Sequence, residues 1–132
     1  MAKITTAIKD DLLTITVIGN LTAIDLIDVI NAYYTSGKII DVIWDLTDGS
    51  LQSITSDEFK TIAQAAKMAT LAGTRKDGKT VFVGNTTSEY NMIRLYTVIA
   101  EISGVPVEYN VFRTIEDAKC WIGKNTLEAQ QL

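Results

Sequence analysis

Residues 38–50 read KIIDVIWDLTDGS, and this stretch decides the fold. Within it, residues 39–46 are almost continuously apolar and rich in β-branched side chains. A strand with one wet face alternates apolar and polar residues, whereas a continuously apolar strand is covered on both faces, as in a parallel sheet. The stretch therefore predicts a central strand that Asp45 closes and that a polar loop follows.

The segments around this strand alternate between extended and helical patterns. Two alternating runs at 3–9 and 12–18 are joined by KDD, which predicts an N-terminal β-hairpin. Beyond them, single strands separated by single helices require parallel pairing with right-handed crossovers. The order β-β-α-β-α-β-α-β-α predicts an α/β fold with a mostly parallel five-stranded sheet and four helices. The predicted helices span residues 23–35, 56–72, 87–103 and 115–124, and the remaining strands span 39–46, 80–85 and 107–112.

The composition narrows the classes of function. The chain has 132 residues, a net charge of −4, no histidine and one cysteine. The absence of histidine excludes Ser–His hydrolases and histidine-ligated metals, and a single cysteine excludes an internal disulfide. No basic cluster suits nucleic acid, and no residue pattern indicates a cofactor. These absences remove several common classes of catalytic and metal site.

The length of the chain predicts one domain. Residues 1–125 contain all the predicted elements, and residues 126–132 are weakly patterned and predict a weakly ordered C-terminal tail. We find no signal peptide and no apolar stretch long enough to span a bilayer, so we expect a cytoplasmic protein.

All four predicted helices begin with the same spacing, a threonine followed three residues later by an acid. In a capping box the threonine hydroxyl accepts a hydrogen bond from a free backbone N–H, and the acid bonds back to the threonine N–H. Thr55 therefore has a sufficient structural role as a helix cap. The four pairs are Thr22 and Asp25, Thr55 and Glu58, Thr86 and Glu89, and Thr114 and Asp117.

Helices 23–35 and 87–103 are apolar over more of their circumference than contact with one sheet face requires. A neighbouring helix, a homodimer interface or a groove for a lipid-like ligand would each explain the excess, and the sequence leaves the three open. The residues that we predict for a ligand or dimer surface are Leu26, Tyr33, Met92, Leu95, Tyr96 and Ile99.

Two segments, VIWDLTDGS (42–50) and VFRTIEDAKCWI (111–122), together with the element order, carry a resemblance to a known family. Over about residues 3–124 the chain resembles the STAS domain of sulfate transporters and bacterial anti-sigma factor antagonists. It is most similar to the stand-alone branch grouped as STAS-like or lipid-binding SEC14-like proteins. The resemblance implies an open α/β sheet with packed helices, and a regulatory or binding role rather than catalysis.

The chain departs from that family at its regulatory position. Anti-sigma factor antagonists carry an Asp-Ser pair at the start of the helix after this strand, and a partner kinase phosphorylates the serine. A gapless match from Asp45 places Ser53 at the aspartate position and Ile54 at the serine position. Hydroxyl groups are nevertheless available nearby. The candidates for a phosphoacceptor or a partner-binding loop are Thr47, Ser50, Ser53, Thr55 and Ser56.

Asp45 and Asp48 allow a further chemical interpretation, because ligands gather at the carboxyl ends of strands in open α/β sheets. The two carboxylates could bind Mg²⁺, or Asp45 could accept a phosphoryl group as in response-regulator receivers. Such a site also needs an acidic pair and a lysine at other strand ends. Gly19 and Asn20 supply no acid, and Arg113 stands in place of the lysine. The alternative is that both aspartates bond to loop N–H groups as turn residues.

Three functions follow, in descending order of support from the sequence. The first is a non-enzymatic regulatory module that binds an unknown protein partner through loop 47–56 and the helix that it opens, as a homodimer. The second is a small-molecule or lipid carrier with an apolar groove between helices 23–35 and 87–103. The third is a phosphoryl-transfer site at Asp45.

Overall fold

The structure, a computed structural model, describes residues 2–123. The element order is the predicted one, and helices 56–72 and 87–103 have the predicted bounds. The predicted C-terminal tail and residue 124 of the last predicted helix lie outside the described residues. The elements are β1 (Lys3–Lys9), β2 (Leu12–Asn20), α1 (Ala23–Tyr33), β3 (Asp41–Ser50), α2 (Ser56–Ala72), β4 (Lys79–Val83), α3 (Thr87–Ser103), β5 (Glu108–Phe112) and α4 (Ile115–Ile122).

The five strands lie in the sheet in the order in which they occur in the chain. β1 pairs antiparallel with β2 through a two-residue turn, in which Asp10 has a φ of 57°. The other three pairings are parallel, so the predicted hairpin and the predicted mostly parallel sheet are confirmed. The apolar strand β3 lies at the centre of the sheet.

Three helices cover one face of the sheet and the fourth covers part of the other. Because consecutive parallel strands are neighbours, right-handed crossovers place α1, α2 and α3 on the same face. α2 packs against both α1 and α3, whereas α4 packs against β3, β4 and β5. The carboxyl ends of four parallel strands therefore meet at the sheet edge where all four helices begin; we call it the carboxyl edge.

The main core lies between the sheet and the three helices. Trp44 is buried there, stacks near Phe82 and donates from Nε1 to the Tyr34 hydroxyl at 3.0 Å. Burial raises the pKa of Tyr34 and Tyr96 in the core and of Tyr109, which is partly buried against it, because an ionised phenolate loses hydration there. The arginine beside Tyr34 opposes the shift of that residue.

This arginine, Arg75, is fully buried and has only neutral hydrogen-bond acceptors. Its Nε donates to the Ile40 carbonyl, and its Nη2 donates to the Lys79 carbonyl and the Thr80 hydroxyl at 3.0 and 2.6 Å. The guanidinium also lies 4.4 Å from the centre of the Tyr34 ring. These contacts fix the α2–β4 connection to the amino ends of β3 and β4.

The predicted apolar groove between α1 and α3 is not formed, because α2 lies between these helices. Leu26 and Tyr96 belong to the core. Tyr33, Met92 and Ile99 are partly buried against it. Leu95 alone among the six predicted surface residues is exposed. Packing within the chain therefore accounts for part of the excess apolar surface that the sequence indicated.

Candidate functional site

The central strand continues beyond the point where the sequence predicted its end. Thr16 pairs with Asp45 and Ile18 pairs with Asp48, so that two β3 residues face Val17 alone. Pairing with β4 stops at Asp45, but pairing with β2 continues to Ser50. The prediction that Asp45 closes the strand is wrong, and the connecting loop is reduced to residues 51–55.

Asp45 stabilises the backbone at this irregularity in the strand. Its Oδ1 accepts hydrogen bonds from the backbone N–H and the hydroxyl of Thr47, at 3.0 and 2.6 Å. Asp48 is exposed to solvent. No group of three or more His, Cys, Asp or Glu side chains within residues 2–123 is placed to hold a metal ion. The geometry of Asp45 fits its interpretation as a turn residue that bonds to a backbone N–H group.

A buried carboxylate connects the end of β3 to the first turn of α3. Glu89 is 9% exposed. Its Oε2 accepts from the Ser50 hydroxyl at 2.9 Å, and its Oε1 accepts from the Leu51 backbone N–H at 3.0 Å. We call these contacts the Glu89 bridge. The bridge fixes the start of the loop against a neighbouring helix.

A second contact extends the Glu89 bridge toward solvent. The Ser50 hydroxyl accepts from the Gln52 backbone N–H at 3.0 Å. The Gln52 side chain in turn donates from Nε2 to the Ser88 hydroxyl at 2.8 Å. The last residue of β3 and the first two residues of the loop are thereby held in place before α2 begins.

The Glu89 bridge also explains a departure from the predicted helix starts. All four threonines cap their helices through their hydroxyls. The reciprocal bond from the acid is present in α1 and α2. At α3 it is replaced, because the Glu89 carboxylate bonds to Ser50 and Leu51 instead, and at α4 it is not formed. The prediction of a complete capping box is therefore confirmed for Thr55 and wrong for Thr86 and Thr114.

The structure divides the five candidate hydroxyls of the loop into two groups. Thr47, Ser50 and Thr55 use their hydroxyls in the contacts to Asp45, to Glu89 and to the helix start. Ser53 and Ser56 are exposed, and within residues 2–123 their hydroxyls make no hydrogen bond. A phosphate on Ser50 would also face the Glu89 carboxylate, which like-charge repulsion opposes. Among the five candidates, Ser53 and Ser56 are therefore the ones that combine an exposed side chain with a hydroxyl not engaged by the described residues.

The sequence interpretation missed Glu89, Gln52 and Ser88 as parts of this site. Glu89 occupies the same position in its helix as the acids of the other three capping boxes, so no local pattern marks it. Its partner Leu51 lies 38 residues away in the chain. Only the pairing of strands and helices in space brings the two together.

The carboxyl edge around this loop is acidic. The first turn of every helix carries at least one carboxylate, as expected where the positive end of the helix dipole favours negative charge. An exposed Lys60 lies 3.9 Å from Asp57 and offsets part of this charge. The first-turn acids are Asp25, Asp57, Glu58, Glu89, Glu116 and Asp117.

The sheet order, the three helices on one face and the capped helix after the central strand define a STAS-like α/β fold, as the sequence predicted. No protein-family profile matches the chain, and no curated protein matches it. Within residues 2–123 no helix is both long enough and apolar enough to cross a membrane.

Solved structures of other proteins have a similar fold. The chain is similar to an anti-sigma factor antagonist from Mycobacterium paratuberculosis, with a TM-score of 0.60 and 18% identity over 92% of this chain and 94% of the other. It is also similar to an uncharacterised protein with a SpoIIAA-like fold from Shewanella loihica, with a TM-score of 0.54 and 18% identity over 92% and 93% of the two chains. The anti-sigma factor antagonist SpoIIAA in its unphosphorylated form matches with a TM-score of 0.54 and 13% identity over 93% and 100%. At these identities the similarity shows the fold alone.

Proposed function

We propose that this chain is a non-enzymatic regulatory module that binds a protein partner through the carboxyl edge of its sheet. One observation carries the proposal: the fold of a protein described as an anti-sigma factor antagonist extends over 92% of this chain at a TM-score of 0.60. The contact surface is loop 51–55 with the first turn of α2.

The geometry of that surface supports binding. Ser53, Ser56 and Asp57 are exposed. The backbone beneath them is fixed by the Glu89 bridge on one side and by the Thr55 cap on the other. A surface that is ordered before binding loses little conformational entropy when a partner contacts it. The acidic first turns around it favour a partner with a basic contact surface.

The chemistry of the same region supports a non-enzymatic role. Asp45 in the central strand and Glu89 beside its end both accept hydrogen bonds that hold the backbone in place. Histidine, the usual acid–base group near neutral pH, is absent from the chain. The side chains that remain accessible are suited to contact with a partner.

If a kinase acts on this surface, we propose Ser53 or Ser56 as the phosphoacceptor. Ser56 is the first residue of α2, where the helix dipole attracts a phosphate, while Asp57 and Glu58 repel it. Mass spectrometry of the protein after incubation with ATP and native extract tests this. Phosphate on either serine is expected, and phosphate confined to other residues would contradict it.

Affinity capture from native extract tests the partner surface. The wild-type chain is compared with Ser53→Arg, which places a bulky cation on the loop. The control is Ser36→Arg, an exposed serine beyond the C-terminal end of α1, at the opposite edge of the sheet. The proposal predicts a protein that wild type and Ser36→Arg capture and that Ser53→Arg does not. Equal capture by all three chains would contradict it.

We further propose that the module is a homodimer. Five large apolar side chains are exposed on the outer faces of α2 and α3, away from the sheet: Met68, Leu71, Leu95, Val98 and Ile102. Side chains of this size in one region of a surface are typical of protein interfaces.

A further inference from the structure

Three apolar residues form a line on the outer face of α3. Leu95, Val98 and Ile102 are 43%, 45% and 82% exposed. Their spacing of three and four residues places them on one side of the helix. We call this line the α3 ridge. It faces away from the sheet, whose contact with α3 uses Ile93, Tyr96 and Ala100.

Two opposite charges flank the α3 ridge on the same side. Arg94 and Glu101 are exposed and lie seven residues apart, which is two helical turns. Glu101 lines a shallow groove with Glu108 and Tyr109, so this flank is the side of α3 nearest β5. The single ion pair within residues 2–123 joins Lys60 and Asp57, and the charges of Arg94 and Glu101 are therefore not paired with each other or with another side chain there.

The ridge and its flank are complementary to a copy of themselves in antiparallel orientation. A twofold axis that passes beside Val98 places Leu95 of one copy opposite Ile102 of the other. The same axis places Arg94 opposite Glu101 of the second copy, since an axis perpendicular to both helices brings equivalent flanks together. The centres of the two pairings differ by one residue, about 1.5 Å of helix rise, which side chains of this length accommodate.

We propose that the α3 ridge is a twofold-symmetric interface between two copies of this chain. In such an isologous interface each contact occurs twice, so two Arg94–Glu101 pairs flank one apolar seam. The exposed side chains of Met68 and Leu71 on α2 lie on the other side of the ridge and widen the seam. The surface that binds the ridge is thus the identical ridge of a second copy, which runs antiparallel and so presents its two charges in the opposite order.

The antiparallel arrangement has a consequence for the partner surface. The N-terminal end of α3 lies at the carboxyl edge of the sheet, so the two copies present their carboxyl edges at opposite ends of the dimer. The interface rests on the homodimer proposed above, but it leaves Ser53 and loop 51–55 uncovered. Loss of dimerisation and loss of partner capture are therefore separable results.

Sedimentation velocity of the full chain over a concentration series tests the interface. Wild type is expected to change from monomer to dimer with rising concentration. Val98→Asp, which places a charge on the seam, is expected to stay monomeric. The control Ile24→Asp changes a 72%-exposed isoleucine at the start of α1 and is expected to dimerise like wild type. A wild-type chain that stays monomeric throughout would overturn the proposal and leave a different protein as the occupant of the ridge.

A charge exchange tests the orientation of the two copies. Arg94→Glu and Glu101→Arg each place like charges opposite one another and are expected to weaken dimerisation by about tenfold. The double variant restores opposite charges and is expected to dimerise nearly as well as wild type. A double variant as weak as the singles, or weaker, would rule out the antiparallel pairing.

Disulfide trapping tests the position of the twofold axis. In a Cys120→Ser background, which removes the exposed native thiol, Val98→Cys is expected to form a disulfide-linked dimer on mild oxidation, because equivalent residues meet at the axis. Ile24→Cys in the same background is the control and is expected to remain unlinked. Equal cross-linking of the two variants would contradict the proposed axis.

Discussion

The Glu89 carboxylate accepts a hydrogen bond from the Ser50 hydroxyl at 2.9 Å across 39 residues of sequence. Together with the Leu51 N–H, this contact joins the end of the central strand to the start of a helix that belongs to the next crossover. The bridge holds the proposed partner surface in one shape, because movement of the loop would break hydrogen bonds to a buried side chain.

Removal of the Glu89 side chain is expected to destabilise the fold and to loosen the loop. Glu89→Ala leaves the buried Leu51 N–H without an acceptor, at a cost of about 1–3 kcal/mol in the free energy of unfolding. Glu89→Gln keeps one acceptor oxygen and is expected to lose less. Urea denaturation and hydrogen exchange of the Leu51 amide measure the two effects. Glu116→Ala, at an exposed glutamate in the first turn of α4, is the matched control; an equal loss there would contradict the bridge.

Thr55 and Ser53 are expected to respond differently to alanine. Thr55→Ala removes the hydroxyl that accepts from the Glu58 N–H at 3.1 Å, and it is expected to cost about 1 kcal/mol of stability. Ser53→Ala removes an exposed hydroxyl and is expected to change stability by less than about 0.5 kcal/mol. Thermal or urea denaturation of both variants checks this. Equal stabilities for the two would refute the assignment of Thr55 as a cap and Ser53 as a free surface group.

Arg75 is expected to resist conservative replacement. Arg75→Lys puts one ammonium where the guanidinium donates to two acceptors in β4 and to the carbonyl of Ile40, just before β3. The variant is therefore expected to be destabilised by about 2 kcal/mol or more. Lys76→Met, at the exposed neighbouring residue, is expected to have little effect. Urea denaturation compares them. A lysine variant as stable as wild type would show that the several hydrogen bonds of the Arg75 guanidinium contribute nothing to the free energy of unfolding.

Three tyrosines in and beside the core are expected to make the fold sensitive to high pH. Burial raises the pKa of Tyr34, Tyr96 and Tyr109 in the folded chain, so the unfolded chain releases protons first as the pH passes about 10. The stabilisation is complete below that pH and is lost above it, by about 1.4 kcal/mol per pH unit for each tyrosine. Denaturant midpoints measured from neutral to alkaline pH are expected to fall above about pH 10.

A variant checks that the tyrosines cause this loss. Tyr109→Phe keeps the ring and removes one titrating group. The free energy of unfolding is therefore expected to fall less steeply with pH, by the contribution of one tyrosine. Constant stability across the alkaline range in wild type, or an unchanged slope in the variant, would refute this account.

The sequence predicted those features of the fold that depend on residues close together in the chain. The bounds of α2 and α3 were predicted correctly, because a threonine cap at one end and a glycine at the other are local signals. The order of the strands in the sheet was not predicted. The position of α2 between α1 and α3 follows from that order, so it was not predicted either. Helical periodicity shows how much of a helix is apolar but not which neighbour covers it.

The end of the central strand shows a second limit. Asp48 and Gly49 are typical turn residues, yet both pair with β2. A side chain at Gly49 would approach the Val17 carbonyl oxygen to 2.8 Å, so glycine here permits a close strand contact. The same residue type thus indicates a loop in the sequence and fills a narrow position in the sheet.

Site-specific photo-crosslinking in native extract tests the partner surface most directly. A photoreactive amino acid replaces Ser53 in one chain and Ser36 in another, so that the carboxyl edge is compared with the opposite edge. The account predicts a distinct cross-linked protein from position 53 and none of the same mass from position 36. The same product from both positions, or a product from position 36 alone, would contradict a partner surface at the carboxyl edge.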